Sequence, residues 1–301
     1  MKGESFVLKK LMSIFILAAV SVGLSACSNQ KASTAEAKAN NNINVVVSFN
    51  PMKEFAEAIG KDKINIKVVV PEGTEPHDFE PKPRDMESIS KAKIFIYNGL
   101  GAETWVEKTL GALNNKNLIT VEASKGADLI KTTDYDPHTW LSLKEAKIET
   151  KNIKDALVKA DPDNKDFYEK NYEDYSKKLD ELYNDYKAKF DTVKNKNFVT
   201  GHAAFAYLCR DFGLEQKSVE DMFAEGEPTP QKMKELTDFA RASNIKTIFM
   251  EELASPKVSE TLAKEVGAKV EKIYTIESKE DNKDYIQSMK DNLEKIYESL
   301  K

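Results

Sequence analysis

The stretch from Asp161 to Val193 reads DPDNKDFYEKNYEDYSKKLDELYNDYKAKFDTV, with no Gly or Pro after Pro162. Asp161 can cap a helix, and Pro162 suits a first helical turn. Apolar and aromatic side chains then recur three and four residues apart, at Tyr168, Tyr172, Tyr175, Leu179, Leu182, Tyr186 and Phe190. A helix of about 30 residues is about 45 Å long, which is longer than one small domain. The pattern therefore predicts a helix that runs beside two lobes. A coiled-coil arm fits less well, because the stripe is short and rich in tyrosine.

Runs of β-branched residues alternate with helical patterns on both sides of this helix. Before it, we predict strands at 43–49, 64–70, 94–97 and 118–121, with helices after Pro51 and at 84–92 and 104–113. After it, we predict strands at 198–200, 245–250 and 270–276, with helices ending at 212 and spanning 231–242, 257–266 and 283–300. Such alternation is typical of parallel sheets covered by helices. The predicted fold class is α/β, with two lobes, each a mainly parallel sheet flanked by helices, at 43–160 and 195–301, joined by one long rigid helix at 161–194.

The composition is that of a globular protein outside the membrane. Charged residues make up 32% of the 301 residues and apolar residues 41%, which excludes a protein with many membrane spans and a disordered chain. The net charge of −5 argues against nucleic acid as a partner.

The first 26 residues have the features of an export signal. Lys2, Lys9 and Lys10 precede an apolar run at 11–24, which is too short for a stable membrane span. The run ends in Leu24-Ser25-Ala26-Cys27, which resembles the bacterial lipobox, with cleavage before Cys27 and a lipid on its thiol. The alternative is an ordinary signal peptide followed by a chance cysteine. Residues 27–42 are polar and predict a flexible tether.

The chain has three histidines, and two of them lie in the same short motif. Glu75-Pro76-His77-Asp78-Phe79 and Asp136-Pro137-His138-Thr139-Trp140 both read acid, proline, histidine, any residue, aromatic. The third, His202, follows the predicted strand at 198–200. Neutral imidazole is a common zinc ligand, and three histidines plus one carboxylate fill a tetrahedral shell. We expect the histidines to converge on one divalent metal, although spacing alone leaves His202 either a ligand or a hydrogen-bonded residue. Phe79 or Trp140 could shield such a site from water.

Other constellations are weaker. The sequence has no His-Glu-x-x-His pair, no Gly-rich phosphate loop and no Gly-x-Ser-x-Gly. Glu251 and Glu252 could act as ligands or as a general base, but we expect a solvated pair at a strand end. With the signal removed and Cys27 lipidated, Cys209 has no partner for an intrachain disulfide, and its helical surroundings predict a buried thiol.

Together these residues resemble one family. The lipobox, the two acid-Pro-His motifs, the helix opening Asp161-Pro162 and the stretch Gly201-His202-Ala203 are similar to the zinc/manganese substrate-binding lipoproteins of bacterial ABC importers. The match continues through Glu251-Glu252 and through Tyr274-Thr275-Ile276-Glu277.

The resemblance implies two lobes on a rigid helix with a metal between them, held by His77, His138, His202 and Glu277. Members that prefer manganese tend to carry a carboxylate at the third position and Asp at the fourth, so His202 favours the zinc branch. One departure is that 125–135 lacks the histidine-rich loop of many zinc members.

The function that follows is a receptor on the outer face of the cell membrane, anchored by lipid at Cys27. It would bind Zn²⁺ as its transported ligand and deliver it to an ABC permease. Its partners would be this permease and, through the permease, the ATPase of the importer. We expect a monomer that makes and breaks no bond. The alternatives are a manganese receptor of the same family, a zinc-dependent hydrolase with Glu251 or Glu252 as base, and a surface adhesin whose metal is structural.

Overall fold

The protein is described by a computed structural model that covers residues 42–224, 228–253 and 256–301. The expected signal peptide at 1–26, the lipidated Cys27 and the tether up to residue 41 lie outside these residues. Within them, no helix is both long enough and apolar enough to cross a membrane.

The first sheet consists of four parallel strands in the order β2-β1-β3-β4. These strands are β1 (Ile43–Val47), β2 (Ile64–Val68), β3 (Ile94–Tyr97) and β4 (Ile119–Glu122). The helices beside them are α1 (Asn50–Gly60), α2 (Pro83–Lys91) and α3 (Val106–Ala112). The central strands carry apolar side chains on both faces, with Val45 paired to Ile94 in register, as expected for a sheet covered on both sides.

The second sheet repeats this topology, with four parallel strands in the order β6-β5-β7-β8. They are β5 (Asn197–Thr200), β6 (Glu215–Ser218), β7 (Thr247–Met250) and β8 (Lys269–Lys272), with α6 (Ala206–Phe212), α7 (Pro230–Ala242) and α8 (Pro256–Val266). A separate small core forms here around Val199, Ile248 and Leu262. The predicted α/β class with two mainly parallel sheets is confirmed.

Two long helices follow each other between the sheets. Helix α4 (Leu143–Ala160) leads through a short 3₁₀ turn, Pro162–Asn164, into α5 (Lys165–Thr192), which has 28 residues. Helix α5 contacts α1 and α4 and also α6 and the last helix, α9 (Tyr285–Ser299). The predicted apolar stripe of α5 faces the large core throughout. We call the first sheet with α1 to α4 the first lobe, and the second sheet with α6 to α8 the second lobe.

Helix α9 belongs to neither sheet. Tyr285 meets the Phe55 ring of α1 edge-on at 4.7 Å, and the buried side chains of α9 join the large core, which contains residues of both lobes. The chain therefore returns to its first lobe at its end. The domain boundaries at 160 and 194 stay predictions.

Three elements differ from the sequence prediction. Helix α4 and strand β6 were not predicted, and β8 ends at Lys272 rather than at residue 276. Ile273 still donates its backbone N–H to Met250 O, but Ile276 has a φ of +65°, which no strand residue adopts. The apolar residues 273–276 are buried as a connecting segment, and this burial gave them the pattern of a strand.

Candidate metal centre

Three of the four predicted site residues lie beyond the carboxyl ends of strands, where parallel sheets bind ligands. His77 lies in the loop after β2, His202 lies two residues after β5, and Glu277 lies five residues after β8. His138 immediately precedes the 3₁₀ turn Thr139–Leu141 that leads into α4. All four are buried, with exposed fractions of 6%, 0%, 2% and 3% for His77, His138, His202 and Glu277.

The structure brings three of these side chains into one close group and places the fourth, His202, beside His138. One possible ligand atom from each of His77, His138 and Glu277 lies within 4.8 Å of the other two. His202 lies next to this group, because its Nε2 atom is 3.4 Å from the Nε2 atom of His138. Two ligands on a tetrahedral zinc ion with bonds near 2.1 Å are separated by about 3.4 Å. The His138–His202 distance fits two ligands of one ion, and His77, His138 and Glu277 form the group whose ligand atoms all lie within 4.8 Å, a group that does not include His202.

Each imidazole of the first lobe is oriented through its Nδ1 atom. His77 Nδ1 lies 3.1 Å from the carbonyl oxygen of Ala102, and His138 Nδ1 lies 2.9 Å from Asp136 Oδ1. Because both partners accept hydrogen bonds, Nδ1 carries the proton and Nε2 keeps its lone pair. Both Nε2 atoms are therefore available as ligands.

The repeated motif has a structural explanation. The acid two residues before each histidine accepts the backbone N–H of that histidine, at 2.9 Å for Asp136 and His138 and at 3.4 Å for Glu75 and His77. Proline between them restricts the backbone. Both motifs are thus short turns that present a histidine, and only Asp136 also holds the ring.

Burial and crowding set the protonation of the site. Burial, followed by the nearby His138, lowers the pKa of His77 to about 3, and the same two effects hold the pKa of His202 well below its ordinary value. Burial, followed by the charge of Glu75, raises the pKa of Glu277 well above its ordinary value. The two histidines are therefore neutral at physiological pH, which is the form that binds metal.

Two buried atoms of the site lack hydrogen-bond partners within the described part of the chain, namely His77 Nε2 and Glu277 Oε1. Buried polar atoms are nearly always paired, so such atoms call for an explanation. Both are Lewis bases in one cluster, and a divalent cation would satisfy both. The residues therefore fit a metal ion.

The aromatic residues of the two motifs do not play matching roles. The Trp140 ring packs against the His138 ring at 5.1 Å, whereas Phe79 packs against Trp105 at 6.0 Å, in the first-lobe core. His77 is instead covered by Phe223, which meets it edge-on at 5.4 Å. No pattern in the sequence pointed to Phe223, because it follows a strand that carries no apolar signature.

The expectation for Glu251 was wrong and that for Glu252 was right. Glu251 is only 2% exposed, and its Oε1 accepts the backbone N–H of His202 at 3.3 Å. Burial raises the pKa of Glu251 to about 8. Glu252 is exposed and pairs with Lys272 at 3.2 Å. A strand end can face either solvent or a loop of its own lobe, here the loop of His202, and sequence does not distinguish the two. Cys209 is buried in α6, as predicted.

Two parallel sheets, a long helix beside both and a buried group of imidazoles and a carboxylate define a two-lobed α/β binding protein. The chain belongs to the family described as ZnuA, zinc-uptake complex component A, periplasmic, whose profile matches residues 45–299. The resemblance drawn from the sequence motifs is therefore confirmed at the level of the family.

Relatives match over most of their length. A "Putative metal-binding protein" of Treponema pallidum is 42% identical over 270 residues, covering 84% of this chain and 85% of that protein. The "High-affinity zinc uptake system protein ZnuA" of Bacillus subtilis is 37% identical over 313 aligned residues, covering 97% of this chain and 98% of that protein. A relative from Streptococcus gordonii with 33% identity, covering 97% and 99%, is named a manganese transporter lipoprotein.

A solved structure has the same fold. The laminin-binding protein Lmb of Streptococcus agalactiae is 36% identical and superposes with a TM-score of 0.82, over 86% of this chain and all of that one. Its title describes a bifunctional protein with adhesin and metal-transporting activity. The family is one of metal-binding transport receptors.

Proposed function

We propose that this protein is an extracytoplasmic receptor that captures Zn²⁺ between its two lobes and delivers it to an ABC permease. The observation that carries the proposal is the close group of His77, His138 and Glu277, whose ligand atoms lie within 4.8 Å of one another, with His202 Nε2 3.4 Å from His138 Nε2. Zinc is the transported substrate, and the four side chains are its ligands. The name of the Bacillus subtilis relative supports the same substrate.

The ligand set favours zinc over manganese. Three imidazole nitrogens and one carboxylate suit Zn²⁺, whereas Mn²⁺ prefers oxygen-rich sites of higher coordination number. Manganese remains the alternative, because manganese-named relatives such as that of Streptococcus gordonii share the fold and much of the sequence.

A receptor also fits the site better than a hydrolase does. Four protein ligands close the tetrahedral shell, and a catalytic zinc needs an open position for water. Glu251 was the candidate base, but its Oε1 accepts the backbone N–H of His202 and so supports the loop of a ligand. We therefore assign no enzymatic activity.

The site of action follows from the family and the N-terminal sequence. We infer that Cys27 carries a lipid that anchors the protein to the outer face of the cell membrane, and that the protein is a monomer with the permease and its ATPase as partners. Labelling with a radioactive fatty acid would test the anchor, since Cys27→Ala should abolish incorporation.

Isothermal titration with metal analysis of the purified protein tests the function. We expect one Zn²⁺ per chain and a loss of affinity of at least 100-fold in His138→Ala, because one of four ligands is lost. Glu252→Gln is the matched control and should bind as the unmodified protein does. A stoichiometry other than one, displacement of zinc by equimolar manganese, or a loss below threefold in His138→Ala would overturn the proposal.

A further inference from the structure

The segment 275–279, which carries Glu277, follows the last strand of the second sheet but is bound to the first lobe. Four of its five residues make a hydrogen bond to first-lobe residues. These bonds join Trp140 Nε1 to Thr275 O (2.8 Å), Asn50 Nδ2 to Ile276 O (3.0 Å), Gly73 N to Ser278 Oγ (2.8 Å) and Lys279 N to Glu72 Oε2 (2.5 Å). Glu277 therefore belongs structurally with His77 and His138.

Trp140 is the most enclosed of these anchors. Its side chain is fully buried, its ring packs against His138 at 5.1 Å, and Phe49 meets it edge-on at 5.0 Å. Its carbonyl oxygen accepts a hydrogen bond from Tyr285 Oη at 2.6 Å. Because the ring is held by this packing, the indole N–H points toward Thr275 O and donates its hydrogen bond there.

Thr275 connects the Trp140 indole to the carboxylate of Glu277 through two hydrogen bonds. While its carbonyl oxygen accepts from Trp140, its Oγ1 donates to Glu277 Oε2 at 2.8 Å. The second oxygen, Oε1, has no hydrogen-bond partner in the described part of the chain, and one carboxylate oxygen of Glu277 lies in the group formed with His77 and His138. The Trp140 indole thus touches one candidate ligand directly and orients another through Thr275.

His202 is held differently. Its carbonyl oxygen accepts from Thr200 Oγ1 at 2.7 Å and from Gln216 Nε2 at 2.8 Å, and its backbone N–H donates to Glu251. These three residues all follow or lie on strands of the second sheet. His202 is the one candidate ligand whose supports come from the second lobe alone.

We propose that Trp140 is a positioning residue that couples Glu277 to His138, so that three of the four ligands form a preassembled half-site on the first lobe. His202 of the second lobe then completes the shell. The inference rests on the proposed metal-binding function and adds a sequence of steps to it. The half-site binds the ion first, and the second lobe then closes the site.

A double-mutant cycle tests this coupling. Trp140→Phe keeps a buried ring but removes the N–H donor, so the zinc affinity, measured by competition with a chromophoric chelator, should fall about tenfold. In a Glu277→Gln background the same change should cost less than twofold, because the carboxylate that it positions is gone. In a His202→Ala background it should again cost about tenfold.

Trp105→Phe is the matched control. Trp105 is the other of the two tryptophans, it is also buried, and its Nε1 has no hydrogen-bond partner within the described residues. It should change the zinc affinity less than twofold in every background. Thermal unfolding of the metal-free variants measures any general loss of stability separately.

Cobalt substitution gives a readout that a purely structural role would not change. His202→Ala should still bind one Co²⁺, and adding Trp140→Phe to it should alter the visible ligand-field bands, whereas Trp105→Phe should not. Equal losses of affinity from Trp140→Phe in all three backgrounds, or no binding by His202→Ala, would overturn the half-site and leave the proposed function standing. Failure of the unmodified protein to bind zinc would overturn both.

Discussion

At the scale of single residues, the candidate site includes two imidazoles, His77 and His138, whose Nδ1 atoms point at hydrogen-bond acceptors. The carbonyl oxygen of Ala102 and the carboxylate of Asp136 fix a proton on Nδ1 of His77 and His138. The alternative tautomer would turn a lone pair toward an acceptor and leave no ligand atom for the metal. The same hydrogen bonds therefore orient the two imidazole rings and leave their Nε2 atoms free to bind a metal.

The histidines were predictable from sequence because a turn is local. An acid two residues before His77 or His138 meets its backbone N–H without any help from distant segments. Phe223 and the buried state of Glu251 were not predictable, because each depends on a residue far away in the chain, His77 for Phe223 and His202 for Glu251. Residue types therefore indicated the candidate metal ligands, and tertiary contacts decide what surrounds them.

Glu149 gives a prediction at the same scale. It lies on α4, is fully buried, and neither of its oxygens has a well-formed hydrogen bond within the described part of the chain. Burial raises its pKa to about 8. Between about pH 4.5 and pH 8 the unfolded chain releases a proton that the folded protein keeps, so the free energy of unfolding falls as pH rises.

Replacing Glu149 by Gln should remove this loss. We expect Glu149→Gln to raise the free energy of unfolding by on the order of 2 kcal/mol at pH 7 and to leave it unchanged near pH 4. Urea unfolding at several pH values measures the difference. The exposed Glu181→Gln is the control and should show no such pH dependence; a constant offset across pH for Glu149→Gln would contradict the assignment.

At the scale of elements, the central strands and the amphipathic helices were predicted because their burial is periodic. Strand β6, Glu215–Ser218, was missed because it is an edge strand of polar residues and its apolar content is low. Residues 273–276 were assigned to a strand because they are apolar and buried, although they connect β8 to the site. A buried apolar segment that is not part of a strand ladder has the same sequence pattern as a strand.

Helix α4 was missed although its start carries a signal. Ser142 lies three residues before Glu145, a spacing typical of helix N-caps, and Ser142 Oγ accepts the backbone N–H groups of Lys144 and Glu145. The same hydroxyl donates to Asp211 Oδ2 of α6 at 2.5 Å. Ser142 thus caps a first-lobe helix and binds the second lobe.

We expect Ser142→Ala to lower the free energy of unfolding by about 1–2 kcal/mol, because a helix cap and a hydrogen bond to a buried carboxylate are both lost. Thermal unfolding measures the change. Thr229, the N-cap of α7, makes the comparable bond to Lys232 at 3.2 Å without a partner in the other lobe. Thr229→Ala should therefore cost less, and an equal cost would argue against the second role of Ser142.

At the scale of the whole molecule, sequence predicted two parallel sheets and a helix beside both, but not how the lobes meet. Strand–helix alternation is a local property, whereas the bonds that join the lobes link residues far apart in the chain. Arg210 of α6 is an example, since its guanidinium donates to Glu145 Oε1 of α4 at 2.6 Å and to the carbonyl oxygen of Asp128 at 2.5 Å. No pairing rule in a single sequence identifies such partners.

Arg210 therefore supplies a prediction about lobe closure. Glu145 is 2% exposed, so loss of Arg210 leaves a buried carboxylate without its main cation in the closed arrangement, whereas separated lobes would expose that carboxylate to water. Arg210→Ala should shift the metal-free protein toward separated lobes. The apparent zinc affinity then falls in proportion to the population of the closed state, and we expect a loss of about 3- to 10-fold.

Small-angle X-ray scattering and chelator competition on the same samples test this prediction. The radius of gyration of metal-free Arg210→Ala should exceed that of the unmodified protein, and saturating zinc should remove the difference, because His202 and the half-site then hold the lobes together through the ion. Arg241→Ala is the control, since Arg241 pairs with Glu265 at 2.7 Å within the second lobe and should affect neither measurement. A fall in melting temperature with unchanged scattering and affinity would show that Arg210 stabilises α6 locally and that lobe closure depends on the metal ligands and the 275–279 segment.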